Sequence, residues 1–240
     1  TAYRRQRQMC IRDSPYTSEA ATMTDETVTV AEISSFQLET IHEFHPQISA
    51  ILNITPDHLN RHHTMDCYIK TKEAITTNQT KDEVCVLNYE DEVLRAFGES
   101  APVHVVWFSS ARKLAEGFYL DGEEIFYAHD GNTEKVINVN DLNLLGRHNY
   151  ENVMAATAMS VNFGVPMEKI VEVLKRFQAV EHRIEYVTEK RGVRFYNDSK
   201  GTNPDAAIQG IRAMNRPTLL IGGGYDKQST YCLLYTSDAA

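Results

Sequence analysis

The chain has 240 residues, 42% of them hydrophobic, and its 33 acidic against 24 basic side chains give a net charge of -9. This length suits one large domain, or one medium domain plus part of another. The acidic balance argues against general binding to nucleic acid or to an anionic membrane, although a local basic cluster can still bind phosphate. No apolar run approaches the ~20 residues of a membrane span. The four cysteines form no CxxC pair, so neither zinc nor a disulfide framework is indicated and a reducing cytoplasm is expected.

Both ends of the chain differ in character from the rest. Residues 1–14 (TAYRRQRQMCIRDS) are basic and without a hydrophobic period, and residues 232–240 (CLLYTSDAA) follow a Gly-rich turn that should lead to a helix. Both strings resemble translated adapter sequence at the ends of genes predicted from short reads. The alternative is a natural disordered tail at each end. We expect both segments to be non-native and unpacked, which would make the chain an internal piece of a longer enzyme.

Strands and helices alternate through the first half of the chain. Apolar or β-branched runs predict strands at Thr27–Ile33, Pro46–Ile54, Glu83–Asn88 and Val103–Phe108. Helical spacing predicts helices after Ser34, over Met65–Thr77 and over Tyr89–Phe97. This alternation predicts an α/β fold with a mostly parallel sheet flanked by helices.

The pattern then changes to a hairpin and two long helices. Asp121-Gly122 lies between the two alternating halves of Gly117–Ala128, which predicts a hairpin, and Lys135–Val139 extends it to a small antiparallel patch. Gly146–Phe163 is an Ala-rich helix, and a second helix follows over Met167–Phe177.

A second domain is expected to begin after these helices. The remaining predicted elements are a hairpin, a helix and a strand, at Ile184–Thr188, Val193–Tyr196, Pro204–Met214 and Pro217–Ile221. We therefore predict a central domain over residues 15–180 and the start of a Rossmann-like α/β domain over residues 181–231. The boundary is placed near Gln178–Glu181.

Three side chains near the ends of predicted strands have metal or phosphate chemistry. Glu32 closes one predicted strand and could hold Mg²⁺, and His58 follows the next strand and could bind a metal or place a substrate. Open α/β sheets build their ligand sites at this edge. The alternatives are a helix-capping or surface Glu32 and a loop His58 without a role. Lys72, on the predicted helix Met65–Thr77, is by itself an ordinary helical lysine, which is usually a solvated charge.

A second set of polar side chains lies further along the chain. Asn149 and Asn152 share a helix face near its N-terminus, where an amide pair can bind a purine edge or a phosphate; simple N-capping is the alternative. Asp198 could accept ribose hydroxyls and Lys200 could neutralise a phosphate, against the alternative of an ordinary polar loop. His182-Arg183 at the expected hinge suits an arginine that reaches across a cleft.

The glycines do not form a nucleotide motif. Gly222–Gly224 follows a predicted strand, but no G-x-G-x-x-G is present, and no G-x-x-x-x-G-K-[ST] occurs anywhere in the chain. If the protein uses ATP, its phosphate loop is expected outside this sequence.

In this order and spacing, the motifs resemble the Mur ligase family of peptidoglycan synthesis. The resemblance covers residues 15–231 and is carried by Glu32–Glu39 (EISSFQLE), Asn53–Leu59 (NITPDHL), Gly146–Asn149 (GRHN), His182-Arg183 and Asn197–Asn203 (NDSKGTN). It implies that ATP phosphorylates the carboxylate of UDP-N-acetylmuramoyl-L-alanine and that the amine of D-glutamate then attacks the acyl phosphate. Sister ligases and folylpolyglutamate synthase are alternatives that the run SSFQ argues against. A catalytically dead nucleotide-binding or partner-binding module is the alternative from another class.

The resemblance also implies a role for each candidate residue. Glu32 and His58 become ligands of Mg²⁺, with two ions expected, and Lys72 becomes a carbamylated lysine, whose negative charge explains a lysine at a metal site. The implied ATP contacts are Asn149, Asn152, Arg183, Asp198 and Lys200. The implied substrate contacts are Thr202, Lys227 and His182. The family's N-terminal UDP-binding domain, its phosphate loop and most of its C-terminal domain are not found in the sequence, so we expect the chain alone to be inactive.

Overall fold

The structure, a computed structural model, describes residues 23–179, 181–202 and 204–223. The two ends that were expected to be unpacked, residues 1–14 and 232–240, lie outside these ranges, and so does Lys227. No helix within the described residues has both the length and the apolar content needed to cross a membrane.

Eight strands and seven α-helices are described. The strands are β1 (Ile48–Ile51), β2 (Val84–Asn88), β3 (His104–Ser109), β4 (Gly117–Asp121), β5 (Glu124–His129), β6 (Asn132–Asn138), β7 (Glu185–Lys190) and β8 (Val193–Asn197). The helices are α1 (Ser35–Leu38), α2 (Leu59–His62), α3 (Met65–Glu73), α4 (Glu92–Ser100), α5 (Arg147–Asn162), α6 (Met167–Arg176) and α7 (Pro204–Arg212). Short 3-10 turns follow α3 and β6, at Ala74–Thr76 and Val139–Asp141.

The first six strands form one sheet in chain order. β1 to β4 pair in parallel, and β4, β5 and β6 pair antiparallel. Gly122 takes φ 59° at the turn between β4 and β5, as the hairpin pattern required. The sheet confirms the predicted α/β class and the predicted antiparallel patch.

Helices cover both faces of this sheet. Successive residues of a strand point to opposite faces, so each buried strand contributes side chains to two apolar clusters. Val86 and Phe108 pack with Val153 and Met154 of α5 in one apolar cluster. Cys85 and Leu87, the neighbours of Val86 in β2, pack on the other face in a second cluster with residues of α3 and α4, among them Tyr68 and Leu94. The parallel strands are therefore buried on both sides, and their carboxyl ends form one edge.

Two predicted strands are not strands. Thr27–Ile33 and Pro217–Ile221 form no strand, and most of their aliphatic side chains are exposed, with Val30 72% and Ile221 90% accessible. A strand is stable only when a neighbour satisfies its backbone groups and covers its side chains. Within the described residues neither segment has such a neighbour, so β-branched composition alone did not produce a strand.

After residue 181 the chain forms a hairpin and one helix. β7 and β8 pair antiparallel with an irregularity between Tyr186 and Thr188, and α7 follows. The hairpin at Arg191-Gly192 confirms the predicted one. That a second domain starts near residue 180 stays a prediction.

Candidate functional site

The loop that carries His58 is tied to the carboxyl edge of the parallel sheet. The Ile54 backbone N–H, just after β1, donates to Asp91 Oδ2 at 2.7 Å. Asp91 Oδ1 accepts from the Val93 and Leu94 amides and caps α4. One carboxylate therefore fixes the end of β1 to the element that follows β2.

His58 itself has a constrained backbone and an exposed ring. It takes φ 53° immediately before α2, in the left-handed region that is uncommon for residues other than glycine, although histidine adopts it more often than most. Its N–H donates to Asp57 Oδ1 at 2.8 Å, and its ring Nε2 lies 3.5 Å from Asp57 Oδ2. The ring also packs on Phe36 with centroids 4.8 Å apart. The imidazole is thus oriented by one carboxylate and one aromatic ring.

Lys72 on α3 is a partly buried cation with two carboxylates near it. Burial lowers the pKa of the Lys72 ammonium, and the charges of Asp57 and Glu32 act in the opposite direction. Its Nζ also lies 5.4 Å from the centroid of the Tyr68 ring, one turn earlier on the helix. Asp57 and Glu32 are therefore electrostatic neighbours of Lys72, although they come from different segments of the chain.

The donor types around Lys72 suit a hard divalent cation. Two carboxylates and one imidazole are present, and Mg²⁺ is bound by one or two carboxylates with further oxygen ligands. Among the described residues, no group of three or more His, Cys, Asp or Glu side chains is arranged to hold a metal by itself. A further anionic ligand from Lys72 would complete the set. The joint role of Glu32, His58 and Lys72 stays a prediction.

Asp57 was not among the predicted site residues. It bonds to the His58 backbone, and its charge acts on Lys72. The sequence signal was present, since Asp57 directly precedes His58 after a strand. An acidic residue in an exposed loop has no pattern that distinguishes it from a solvated one, so only the fold assigns it to this cluster.

The start of α5 forms the second part of the site. Asn149 is buried and its Nδ2 donates to the Leu145 carbonyl at 2.6 Å, while Asn152 Nδ2 donates to Asn149 Oδ1 at 3.5 Å. The two amides therefore share one face, as the i, i+3 spacing predicted. Asn152 is exposed.

A polar cluster holds α5 against the end of β3. Ser110, just past β3, donates to Glu151 Oε1 and accepts from Arg147 Nε at 3.0 Å, and Arg147 also donates to the Ser110 carbonyl. The first turn of α5 is thereby placed at the same sheet edge as His58. No sequence pattern indicates this cluster, because its members are separated by a hairpin and a strand.

Arg183 and Asp198 lie near the start of α5. Burial lowers the pKa of the His148 imidazole, the charge of Arg183 acts in the same direction, and Asp198 opposes both. The close packing of the start of α5 against the end of α7 supports this placement. Gly146 has φ 92°, and a Cβ added to it would lie 2.5 Å from the Ala213 Cβ at the end of α7.

Asp198 sits in a space that two glycines keep open. Its Oδ1 accepts from the Ile184 backbone N–H at 3.1 Å. A Cβ on Gly201 or on Gly210 would lie 2.7 or 2.6 Å from Asp198 Oδ2. Small residues at both positions therefore allow the carboxylate to stay where it is.

The remaining candidates lie in the loop after β8 and in the segment before β7. The Lys200 N–H donates to the His182 carbonyl at 2.9 Å, and the Thr202 N–H donates to the Lys200 carbonyl at 2.9 Å. The His182 ring Nδ1 lies 2.9 Å from Asn197 Nδ2. The side chains of His182, Lys200 and Thr202 are exposed. The backbone thus brings His182 next to Lys200.

Comparisons with known proteins identify the class to which this fold and site belong. The family model described as "Mur ligase middle domain" matches residues 13–160. The chain belongs to the Mur ligase family, as its motifs predicted.

Relatives in sequence and structure place it more closely. It is 61% identical over 218 residues to the UDP-N-acetylmuramoylalanine–D-glutamate ligase of Lachnospira eligens, a match that covers 91% of this chain and 48% of the relative. The chain thus spans about half the length of the curated relatives it matches.

Two solved structures share the fold. MurC from Thermotoga maritima matches with a TM-score of 0.55 and 21% identity over 75% of this chain and 39% of its own. MurF from Thermotoga maritima in complex with ADP matches with a TM-score of 0.51 and 20% identity over 70% and 39%. At these identities the likeness concerns the fold alone.

Proposed function

We propose that the chain is the central part of an ATP-dependent ligase that joins D-glutamate to UDP-N-acetylmuramoyl-L-alanine in peptidoglycan precursor synthesis. The observation that carries the proposal is the partly buried Lys72 with the carboxylates of Asp57 and Glu32 near it. The name of the 61%-identical relative supports the substrate pair. In this reaction the peptide carboxylate takes the γ-phosphoryl group of ATP, and the amine of D-glutamate then displaces phosphate to form the amide.

Lys72 would act as a carbamate. Carbon dioxide reacts with a neutral amine, and burial lowers the pKa of Lys72, which raises the neutral fraction at a given pH. The product carries a negative charge in place of a positive one. With Glu32, His58 and Asp57 it would supply oxygen and nitrogen ligands for Mg²⁺, with two ions expected. Bound Mg²⁺ supplies charge neutralisation to the phosphoryl group.

The start of α5 and the loop after β8 would bind the nucleotide. The amide pair Asn149 and Asn152 suits the adenine edge, because each amide offers both a donor and an acceptor. Arg183 suits a phosphate, Asp198 the ribose hydroxyls and Lys200 a phosphate oxygen. The ADP complex of a family member with the same fold supports a nucleotide ligand.

The substrate side would involve exposed residues of the same loop and of the segment before β7. Thr202 and His182 are proposed contacts of the D-glutamate side, together with Lys227, which lies outside the described residues. We also propose a cytoplasmic location, where ATP is available. The free thiols of Cys67 and Cys85 agree with a reducing compartment.

A chimera tests the proposal. The 218 aligned residues of this chain would replace their counterparts in the Lachnospira eligens ligase. We expect phosphate release that requires ATP, Mg²⁺, D-glutamate and UDP-N-acetylmuramoyl-L-alanine together. In the chimera, Lys72→Ala should lower the rate by about 10²-fold or more, the scale on which a group that stabilises transition-state charge contributes.

The matched control is Lys70→Ala, which changes an exposed lysine on the same helix and should leave the rate nearly unchanged. The 240-residue chain alone should release no phosphate above a sample without enzyme, since its sequence has no phosphate loop of the G-x-x-x-x-G-K-[ST] type. A chimera that stays folded but uses L-glutamate or a diamino acid instead would contradict the proposed substrate. Equal rates for the two lysine variants would remove Lys72 from the site.

A further inference from the structure

We infer that His62 is a positioning residue that joins the three chain segments carrying Glu32, His58 and Lys72. Only the task assigned to those three residues rests on the proposed function. The contacts that His62 makes with these segments are packing and hydrogen-bond contacts, and they can be tested without any ligand.

Both ring nitrogens of His62 are used, inside the protein. The side chain is 1% exposed. Nε2 lies 3.0 Å from Ser35 Oγ, a bond between two buried side chains, and Nδ1 lies 3.4 Å from Glu39 Oε1. Since Ser35 begins α1 and Glu39 caps its other end, the ring spans the whole of this short helix.

The faces of the same ring are packed as well. Phe36 of α1 stacks on His62 with centroids 5.7 Å apart and planes at 27°. Tyr68 of α3 lies 5.3 Å away at a tilted angle. Tyr68 is in turn the aromatic neighbour of the Lys72 ammonium. His62 therefore contacts α1 and the helix of Lys72 simultaneously.

The positions along the chain explain why this contact matters. α1 begins three residues after Glu32, His62 ends the helix that starts directly after His58, and Tyr68 lies one turn before Lys72. α1 and α2 are four residues long, far below the length at which a helix is stable by itself. Tertiary contacts must hold them in place, and His62 makes the buried polar ones.

The outer layer of the cluster contributes less. Arg61 forms a forked ion pair with Glu39, with Nη2 to Oε2 at 2.6 Å, and its guanidinium lies 4.6 Å from the Phe36 centroid. Its side chain is 53% exposed, and ion pairs in water stabilise little. The buried histidine is thus the main connection, and Arg61 covers it.

The test compares three variants of the 240-residue chain. His62→Phe keeps an aromatic ring but removes the hydrogen bond with Ser35 and the polar contact with Glu39, and His62→Gln keeps a polar end for Ser35. The matched control is His63→Asn, a change at the exposed neighbouring histidine. The first readout, without metal, is hydrogen exchange of α1 and of the Thr55–Arg61 loop. The second is calorimetric titration with Mg²⁺ alone.

We expect His62→Phe to lose exchange protection at the Leu38 and Glu39 amides, which bond back to Ser34 and Ser35. The Thr55–Arg61 loop should lose protection too, while β2 and β3 keep theirs. The dissociation constant for Mg²⁺ should rise roughly 10-fold, as is usual when a residue that orients metal ligands is changed. His62→Gln should recover part of both effects, and His63→Asn should show neither.

Unchanged exchange in His62→Phe would overturn the inference, and so would equal losses in His63→Asn. A double-mutant cycle of His62→Phe with Ser35→Ala should also show coupling, because each change removes the same bond; strict additivity would contradict it. If the unmodified chain takes up no Mg²⁺, the metal site of the proposed function is wrong, and the exchange result still decides the role of His62.

Discussion

The two parts of the site differ in charge and in how they are built. Around Lys72, carboxylates from separate loops surround a cation whose pKa burial lowers. Around the start of α5, the buried amide of Asn149 is bonded to the helix backbone, the His148 imidazole lies near Arg183 and Asp198, and the backbones of α5 and α7 approach closely. The first arrangement is the one that we propose for a metal, with Lys72 changing its charge. The second is the one that we propose for the nucleotide.

The largest effect is expected where the second part depends on close backbone packing. Gly146→Ala places a methyl group against the Ala213 Cβ at a positive φ. This positive-φ backbone costs an alanine ~1–3 kcal/mol and overpacking ~1–3 kcal/mol more, so the free energy of unfolding should fall by both. Urea denaturation measures this.

Gly131→Ala is the control for that change, because Gly131 also has positive φ but an added Cβ meets nothing within 4 Å. It should show the backbone cost alone. If the free energy of unfolding fell equally in the two variants, α5 would not pack closely on α7. The proposed position of Arg183 and Asp198 beside α5 would then be wrong.

A smaller effect with an unusual sign is expected at Gly210. Alanine in place of glycine inside a helix normally stabilises by ~0.5–1 kcal/mol. Here the added Cβ would lie 2.6 Å from Asp198 Oδ2 and would displace the carboxylate from the Ile184 amide. Overpacking costs ~1–3 kcal/mol and the lost hydrogen bond ~1 kcal/mol. Together they exceed the gain in the helix, so Gly210→Ala should lower the free energy of unfolding by about 1 kcal/mol or more.

In an Asp198→Ala background, the same Gly210→Ala change should become stabilising. Thermal denaturation of the four proteins in the cycle measures the reversal. A stabilising Gly210→Ala in the unmodified chain would show that Asp198 does not occupy this space.

The smallest effect concerns acid. Because burial and Arg183 lower the pKa of His148 in the folded chain, the unfolded chain binds a proton there at a higher pH. The free energy of unfolding should therefore decrease as pH falls through the ordinary histidine range, near ~6.5, and level off below the folded pKa. His148→Asn should flatten part of this dependence, measured as urea midpoints from pH 8 to pH 5 (about the range in which histidine titrates).

Arg183→Gln sharpens this test. It removes a charge that lowers the pKa of His148. The midpoint of the imidazole titration, followed by proton NMR, should therefore shift to a higher pH. An unchanged midpoint would show that Arg183 does not lie near the start of α5.

The sequence predicted the sheet better than it predicted the two segments beside it. Pro46–Ile54, Glu83–Asn88 and Val103–Phe108 became β1, β2 and β3 because each found parallel neighbours that bury its apolar residues. Thr27–Ile33 has the same composition but remains outside the sheet, with Val30 exposed. Composition records the preference of a strand, whereas pairing depends on what lies next to it.

The site shows a similar division. Strand ends predicted Glu32 and His58, the family resemblance added Lys72, and their joint role stays a prediction. Helical spacing predicted that Asn149 and Asn152 share a face of α5, which the structure shows. The sequence patterns did not predict roles for Asp57, Ser110 and His62, because these roles arise from contacts between segments far apart in sequence. His62 and His63 are adjacent and identical in type, and only the fold shows that the first is buried and the second exposed.

The central claim is that Lys72 carries a carbamate, and carbon-13 NMR of the chain equilibrated with labelled bicarbonate tests it most directly. We expect a carbamate resonance whose intensity rises with pH, because the neutral amine becomes more abundant. It should be retained in Lys70→Arg and absent in Lys72→Arg. A spectrum without that resonance at any pH, or one in which it survives Lys72→Arg, would contradict the account.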